Sequence, residues 1–165
     1  MMQTKAETMA EQPMVQPGLA AAPGESQVQT RFGVLKYDRS TAYAFPKGII
    51  GMPEKQEFCL LGYPNPKFSK YKLLHCTMDD ELTFIVLPDE LAKTLIDAAD
   101  IDEACKELQM ARADVTLLLI VTVSRQPDGL FVSANTRAPI FMDARKRQGI
   151  QYVLPNPKYL VRQSI

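Results

Sequence analysis

The sequence predicts a mostly β fold: a compact antiparallel β-barrel-like domain with a small helical insertion. Short apolar runs rich in β-branched and aromatic residues recur along the chain. Clusters of Gly, Pro, Asn and Asp punctuate them. Apolar residues fall at helical spacing in one region only, around residues 88–110. Many short strands with so little helix bury their faces, and limit their exposed edges, by forming a barrel or sandwich.

Residues 1–30 contain three prolines, many Ala and Gln, and few large apolar side chains beyond Met, Val and Leu. That composition cannot offset the entropy of ordering the backbone, so it predicts a disordered extension before a domain at 31–165. "RFGVLKY" and "TAYAFP" read as strands around a turn at Asp38-Arg39-Ser40. "FPKGIIGMPEKQEF" is a loop in which Gly48 and Gly51 are expected at positive φ and Pro46 and Pro53 fix the bends. It lacks the Lys-Ser/Thr ending of a phosphate cradle. "EFCLLGY" is a strand and "YPNPKFSKY" a loop. "YKLLHCTM" and "LTFIVLP" are strands joined by the tight turn Asp79-Asp80-Glu81. "DELAKTLIDAAD" and "DIDEACKELQM" are the helical segments; Asp102 is the candidate cap, with Ile101, Cys105 and Leu108 on one side. "DVTLLLIVTVS" is apolar nearly throughout, as expected of a central strand covered on both faces. "QPDG" marks a turn, and "LFVSAN", "APIFM" and "IQYVL" complete the sheet.

The formal net charge is zero, but the charge is segregated. Residues 79–107 hold ten acids against two bases, while 31–78 and 108–165 each hold eight bases against three acids. An acidic surface at the centre of the chain would attract a basic protein and repel nucleic acid. The candidate docking residues are the turn acids Asp79, Asp80 and Glu81, with Asp89 and Glu90 nearby in sequence.

Chemistry of other kinds finds little support. Cys59, Cys76 and Cys105 are widely separated, and His75 is the single histidine. Adjacent His75 and Cys76 point to opposite faces of a strand, so no zinc set forms; the cysteines are expected reduced and partly buried, and His75 at a wall or the surface. One histidine leaves no nucleophile–base–acid set, and no dinucleotide fingerprint occurs. We expect no enzyme, no cofactor and no metal; a flavin-type barrel enzyme, which purifies coloured, is the contrasting reading. No apolar run approaches the ~20 residues of a membrane span, and the N-terminus has no secretory pattern, so a cytoplasmic address is expected.

Arg145-Lys146-Arg147 lies between two apolar stretches. Read as a hairpin tip, with Gly149 at the turn exit, the cluster is solvated and discourages edge pairing. The alternative is a nucleic-acid-binding barrel using these residues with Arg137 and Lys158, but alternation turns Phe141 and Tyr152 inward, away from a stacking role.

Several of these stretches resemble the family of the flagellar assembly factor FliW. "GIIGMPEKQEFCLL" is similar to its glycine- and proline-rich loop leading into a strand, with Ile50 and Met52 where proline and phenylalanine are common. "MDDELTFIVLP" resembles its strand after an acidic or polar turn. "VTLLLIVTV" followed by "VSANTRAPIFMDARKRQGIQYVL" resembles its most distinctive part, with Ala134, Asn135, Ala138, Pro139, Ile140 and Gln151 at matching places and Met142-Asp143 for the usual Ile/Val-Asn. "YLVRQSI" resembles its ending. The resemblance spans residues 31–163. It implies a non-enzymatic β-barrel that binds two proteins, flagellin and the RNA-binding translational regulator CsrA, and exchanges one for the other, with no direct nucleic-acid contact. Asn135 is expected to hydrogen-bond nearby backbone, and Pro139 to mark an edge or bulge.

Overall fold

A computed structural model describes residues 24–165. Its strands are β1 (Glu25–Thr30), β2 (Gly33–Asp38), β3 (Tyr43–Ala44), β4 (Glu57–Gly62), β5 (Lys72–Cys76), β6 (Thr83–Leu87), β7 (Val115–Gln126), β8 (Gly129–Ala134), β9 (Ile140–Asp143), β10 (Gln148–Gln151) and β11 (Gln163–Ser164). Two helices, α1 (Asp89–Ala92) and α2 (Ala98–Glu107), lie between β6 and β7.

Seven strands close a ring in the order β7-β6-β5-β4-β3-β10-β9, with β9 pairing back onto β7. Every seam is antiparallel except β3 with β10, a single parallel bridge at Ala44 and Gln148. β7 runs past the ring, and its outer half pairs with β8 to form a projecting arm edged by β11. β1 and β2 form a separate hairpin.

Period-two alternation divides the apolar residues among three cores. Phe58, Leu74, Cys76, Val86, Leu118, Ile140 and Met142 point inside the ring, around Phe45. On its outer face Leu117, Leu119 and Phe141 lie under α1, α2 and the C-terminal segment with Leu154 and Tyr159. Cys59 and Leu73 are covered by Val28, Leu35 and Tyr37 of the β1–β2 hairpin. β7 is therefore covered on both faces where it belongs to the ring, as its composition predicts.

Glycine fills two tight places. Gly48 sits at φ +62°, where a Cβ would come within 2.3 Å of the Met52 carbonyl oxygen. Gly149 is not the exit of a turn, as expected from sequence, but part of β10, and a Cβ there would meet the Phe45 ring at 2.3 Å. The positive φ of that turn falls instead on Arg147.

Three other expectations change. The ordered chain begins before residue 31: residues 25–30 are β1, held by full pairing with β2 and by burial of Val28, while residues 1–23 lie outside the described residues. "DELAKTLIDAAD" is not one helix, because the chain turns between α1 and α2 to bury Ala92 and Ile96. Asp97, not Asp102, precedes α2; its N–H donates to the Tyr159 hydroxyl at 3.0 Å, whereas Asp102 lies within the helix and pairs with Arg112 at 3.1 Å.

β8 and β9 lie end to end along one edge of β7, since Ala134 opposes Val121 and Ile140 opposes Leu118. Between those pairs the chain spends residues 135–139 against only Leu119 and Ile120, so the excess bulges outward. Asn135 Oδ1 accepts the Ala138 N–H at 3.0 Å and holds the bulge, and Pro139 sits within it. Thr136 and Arg137 donate their N–H groups to the Leu160 carbonyl at 3.0 and 3.1 Å. Thr136 Oγ1 accepts the Leu160 N–H at 3.0 Å, and the Gln151 amide spans from the Ala138 carbonyl to the Ile50 N–H at 3.1 and 2.9 Å. This corner fastens the Gly/Pro loop, β10 and the C-terminal segment to the ring.

Candidate partner-binding surfaces

The acids singled out from sequence do not form one patch. The Asp79–Glu81 turn precedes β6 and Asp89-Glu90 follows it, so the two groups stand at opposite ends of a strand roughly 17 Å long. Within the turn, Asp79 accepts the Glu81 N–H at 3.1 Å and pairs with Lys55 at 2.8 Å. The Lys55 ammonium, and after it the Glu81 N–H, hold the Asp79 carboxyl below its ordinary range. Asp80 and Glu81 are exposed and line a shallow groove of about 450 Å³ with Arg31 and Thr83. Asp89 opens α1; it pairs with Lys93 and accepts the Leu117 N–H at 2.8 Å, pinning the helix to β7. Glu90 is exposed. Asp79 and Asp89 thus have structural tasks, and Asp80, Glu81 and Glu90 face solvent.

A second acidic surface lies on α2. Asp100, Glu103 and Glu107 line a groove of about 530 Å³ with Tyr152, Pro155 and Asn156. Asp100 is engaged: it accepts the Tyr159 hydroxyl and the Asn156 side-chain amide, the latter at 3.2 Å. Burial, and then the Asp100 carboxylate, raise the Tyr159 hydroxyl above its ordinary range. Lys158 pairs with Asp97 and reaches Asp100 at 3.7 Å. Among the described residues Glu103 and Glu107 have no cationic partner. The three-residue step from Asp100 to Glu103 and the four-residue step from Glu103 to Glu107 were the available sign that these acids share a helix face.

The basic turn is partly occupied. Asp143 Oδ1 accepts the Lys146 N–H at 2.9 Å, Arg145 reaches Asp114 at 3.5 Å, and Arg147 lies 5.4 Å from the Tyr43 ring centre. Phe141 is fully buried and meets Tyr152 edge to face at 6.2 Å. Phe141 therefore offers no stacking surface beside the turn's charges, and the aromatic ring that Arg147 meets there is the half-buried Tyr43.

His75 is not at the surface: it lies on β5, in the wall of the barrel, fully buried beneath the β1–β2 hairpin. Nδ1 lies 2.8 Å from Thr83 Oγ1, the ring stands 5.1 Å from Tyr37, and Nε2 has no hydrogen-bond partner among the described residues. Burial lowers its pKa below the ordinary 6.5, against an opposing pull from Asp80 and Asp79. The folded protein thus holds a neutral imidazole that the unfolded chain protonates more readily. Stability is unaffected by this group above pH 6.5, and falls as the pH drops below that value towards the lower folded pKa. Thermal unfolding between pH 7 and pH 5 should show this decline, and His75→Leu should flatten it. A decline of equal slope in the variant would place its origin elsewhere.

Fold and surface together define a small closed β-barrel with a projecting two-stranded arm, capped by a helical segment that carries much of its acidic surface. The family model described as FliW protein matches residues 26–165, so the chain belongs to the FliW family. It is 30% identical over 135 residues to the flagellar assembly factor FliW of Caldanaerobacter subterraneus subsp. tengcongensis, covering 81% of this chain and 88% of that one. It is 28% identical over 137 residues to the FliW of Syntrophus aciditrophicus, covering 82% and 84%. A crystal structure of the flagellar assembly factor FliW superposes with a TM-score of 0.64 at 26% identity, covering 86% of this chain and 96% of that one. The matched region includes all but the first residue of β1, which the sequence resemblance had left out. No helix among the described residues is long and apolar enough to cross a membrane.

Proposed function

We propose that this protein is a non-enzymatic cytoplasmic regulator that works by partner exchange. It binds flagellin; when flagellin is exported, the freed protein binds CsrA, which then releases the flagellin message, and translation resumes. FliW-family membership supports the reading, and the observation that carries it is the set of separate exposed acidic surfaces formed by residues 79–107, at the turn before β6 and on the helical segment. A basic RNA-binding protein is attracted to such a surface, while RNA itself is repelled. Asp80, Glu81 and Glu90 are the docking candidates from the original acidic set, with Glu103 and Glu107 of α2 added. Because binding linkage is reciprocal, this protein and the RNA each weaken the other's hold on CsrA by the same factor.

The test is calorimetric titration of the purified protein with CsrA of the same organism, repeated with CsrA preloaded with flagellin leader RNA. Binding to free CsrA should weaken when RNA is present. Asp80→Lys with Glu81→Lys should weaken it by about tenfold, with an effect that shrinks as salt rises. Asp79 and Asp89 are poor choices for this purpose, since reversing either also breaks the bond to Lys55 or Leu117. No heat with either form of CsrA, at protein concentrations of tens of micromolar, would remove CsrA from the account.

A further inference from the structure

β7 and β8 are joined by the two-residue turn Pro127-Asp128, so Gln126 and Gly129 close their ladder. Antiparallel alternation then points the N–H and C=O groups of Thr122, Ser124 and Gln126 towards β8, and those of Val121, Val123 and Arg125 away from it. Val121 meets Ile85 of β6, and the β6–β7 pairing stops there. Val123 and Arg125 therefore hold their backbone groups along an open edge, with no strand opposite them among the described residues. On β8 the outward residues are Leu130 and Val132. The Val132 carbonyl accepts the Ile165 N–H at 3.2 Å and β11 pairs with Ser133 and Ala134, which leaves β8 open only around Leu130. The longer open edge belongs to β7.

Where β7 parts from β6, Ile85, Val121 and Val123 border an apolar groove of about 420 Å³, walled on its other side by Tyr63 and Phe68 of the loop after β4. Val123 and Phe68 are 46% and 45% exposed. Period-two alternation puts every second side chain of a strand added to β7 on the face of Val121 and Val123, and so into this groove. The edge offers its backbone groups at every second residue, about 7 Å apart, which is the repeat of another extended chain. A helix has already bonded its backbone to itself and would leave the edge unpaired.

Charge narrows the occupant further. Lys67 and Lys70 also line the groove; both are exposed, and neither pairs with a carboxylate among the described residues. Arg125 adds a third positive charge on the edge itself. A second copy of this chain would bring the same three cations to the seam, and like charges across a strand pair are unfavourable. An acidic segment gains where a second copy loses.

We propose that the open edge of β7 accepts an extended, acidic and apolar segment of a partner protein as an added strand. Its backbone pairs with Val123 and Arg125, its apolar side chains enter the groove against Val123 and Phe68, and its carboxylates meet Lys67 and Lys70. The site is separate from the acidic surfaces above and does not depend on which protein those surfaces bind.

The probe is a synthetic peptide roughly ten residues long, the upper length of an ordinary strand. Valine and glutamate share one face of it at alternate positions, and threonine fills the other. A second peptide carries lysine for glutamate, and a third places leucines and glutamates at helical spacing instead. Each is titrated into the full-length protein and followed by amide NMR and hydrogen exchange. The glutamate strand peptide should shift the Val123 and Arg125 amides. At roughly nine-tenths occupancy it should slow their exchange about tenfold, because only the free protein then exchanges there. It should bind about tenfold tighter than the lysine peptide at low salt, as two partly screened ion pairs allow. Val123→Pro removes an outward N–H that the β7–β8 ladder does not use, and should abolish binding. Lys67→Glu with Lys70→Glu, both at exposed positions, should reverse the charge preference. Protection at Leu130 in place of Val123 and Arg125, or equal affinity for the glutamate and lysine peptides, would overturn the proposal. So would equal or tighter binding of the helical peptide, or self-association that protects Val123 and Arg125 without any peptide, which would make a second copy the occupant.

Discussion

Gly149→Ala should cost about 3 kcal/mol of stability and lower the thermal midpoint by about 10 °C in a domain of this size. The new methyl group would meet three atoms of the Phe45 ring at 2.3 to 2.6 Å, distances that a real Cβ does not tolerate. Phe45 cannot give way cheaply, because it is fully buried inside the ring of strands and packs edge to face on Phe58 at 4.9 Å. Overpacking at this point pushes β10 away from β3 at the single bridge that closes the barrel. Phe45→Leu alone should also destabilise, by leaving a cavity. The pair Gly149→Ala with Phe45→Leu should recover part of the loss, because the smaller side chain leaves room for the methyl. Equilibrium denaturation of the two single variants and the double variant reads this coupling. Strict additivity would mean that the alanine is destabilising for a reason other than the ring.

Asn135→Ala should be the other large effect, about 1 to 3 kcal/mol, because it leaves the Ala138 N–H buried without a partner. Asn135→Asp keeps an oxygen at the same position and should retain most of the stability. Amide hydrogen exchange at Ala138 distinguishes a local effect from a global one: alanine should speed exchange there and aspartate should not. Loss in both variants alike would show that the side-chain NH₂ group, and not the acceptor, holds the corner.

The strands with strong periodicity were readable from the sequence. β7 announced itself by its apolar length, the turn before β8 by Pro127-Asp128-Gly129, and β4, β5 and β6 by alternation between turn residues. The residues that mark the family resemblance, Ala134, Asn135, Ala138, Pro139, Ile140 and Gln151, converge on the corner where β8 gives way to β9. Their place in the pattern is explained by construction of the barrel. β1 was missed because its own composition is polar; its ordering comes from β2 and from a single buried valine. The break between α1 and α2 was missed because helical spacing continues across it, and only burial of Ala92 and Ile96 makes the turn favourable. Gly149 read as a turn residue because the demand on it comes from Phe45, more than a hundred positions away. The acidic set failed as a patch for a related reason. Closeness in sequence placed Asp79–Glu81 and Asp89-Glu90 together, but an intervening strand carries them to opposite ends.

The single bridge between β3 and β10 also sets the order in which the molecule is assembled. β4 through β7 form neighbouring antiparallel seams between segments close in the chain, so they pair at small entropic cost as soon as they exist. Ala44 and Gln148 meet only after most of the chain between them is in place, and non-local pairings of this kind form slowly. On the ribosome, β3 therefore waits with an unpaired edge until β10 has emerged, and the last strands to be synthesised turn an open sheet into a barrel.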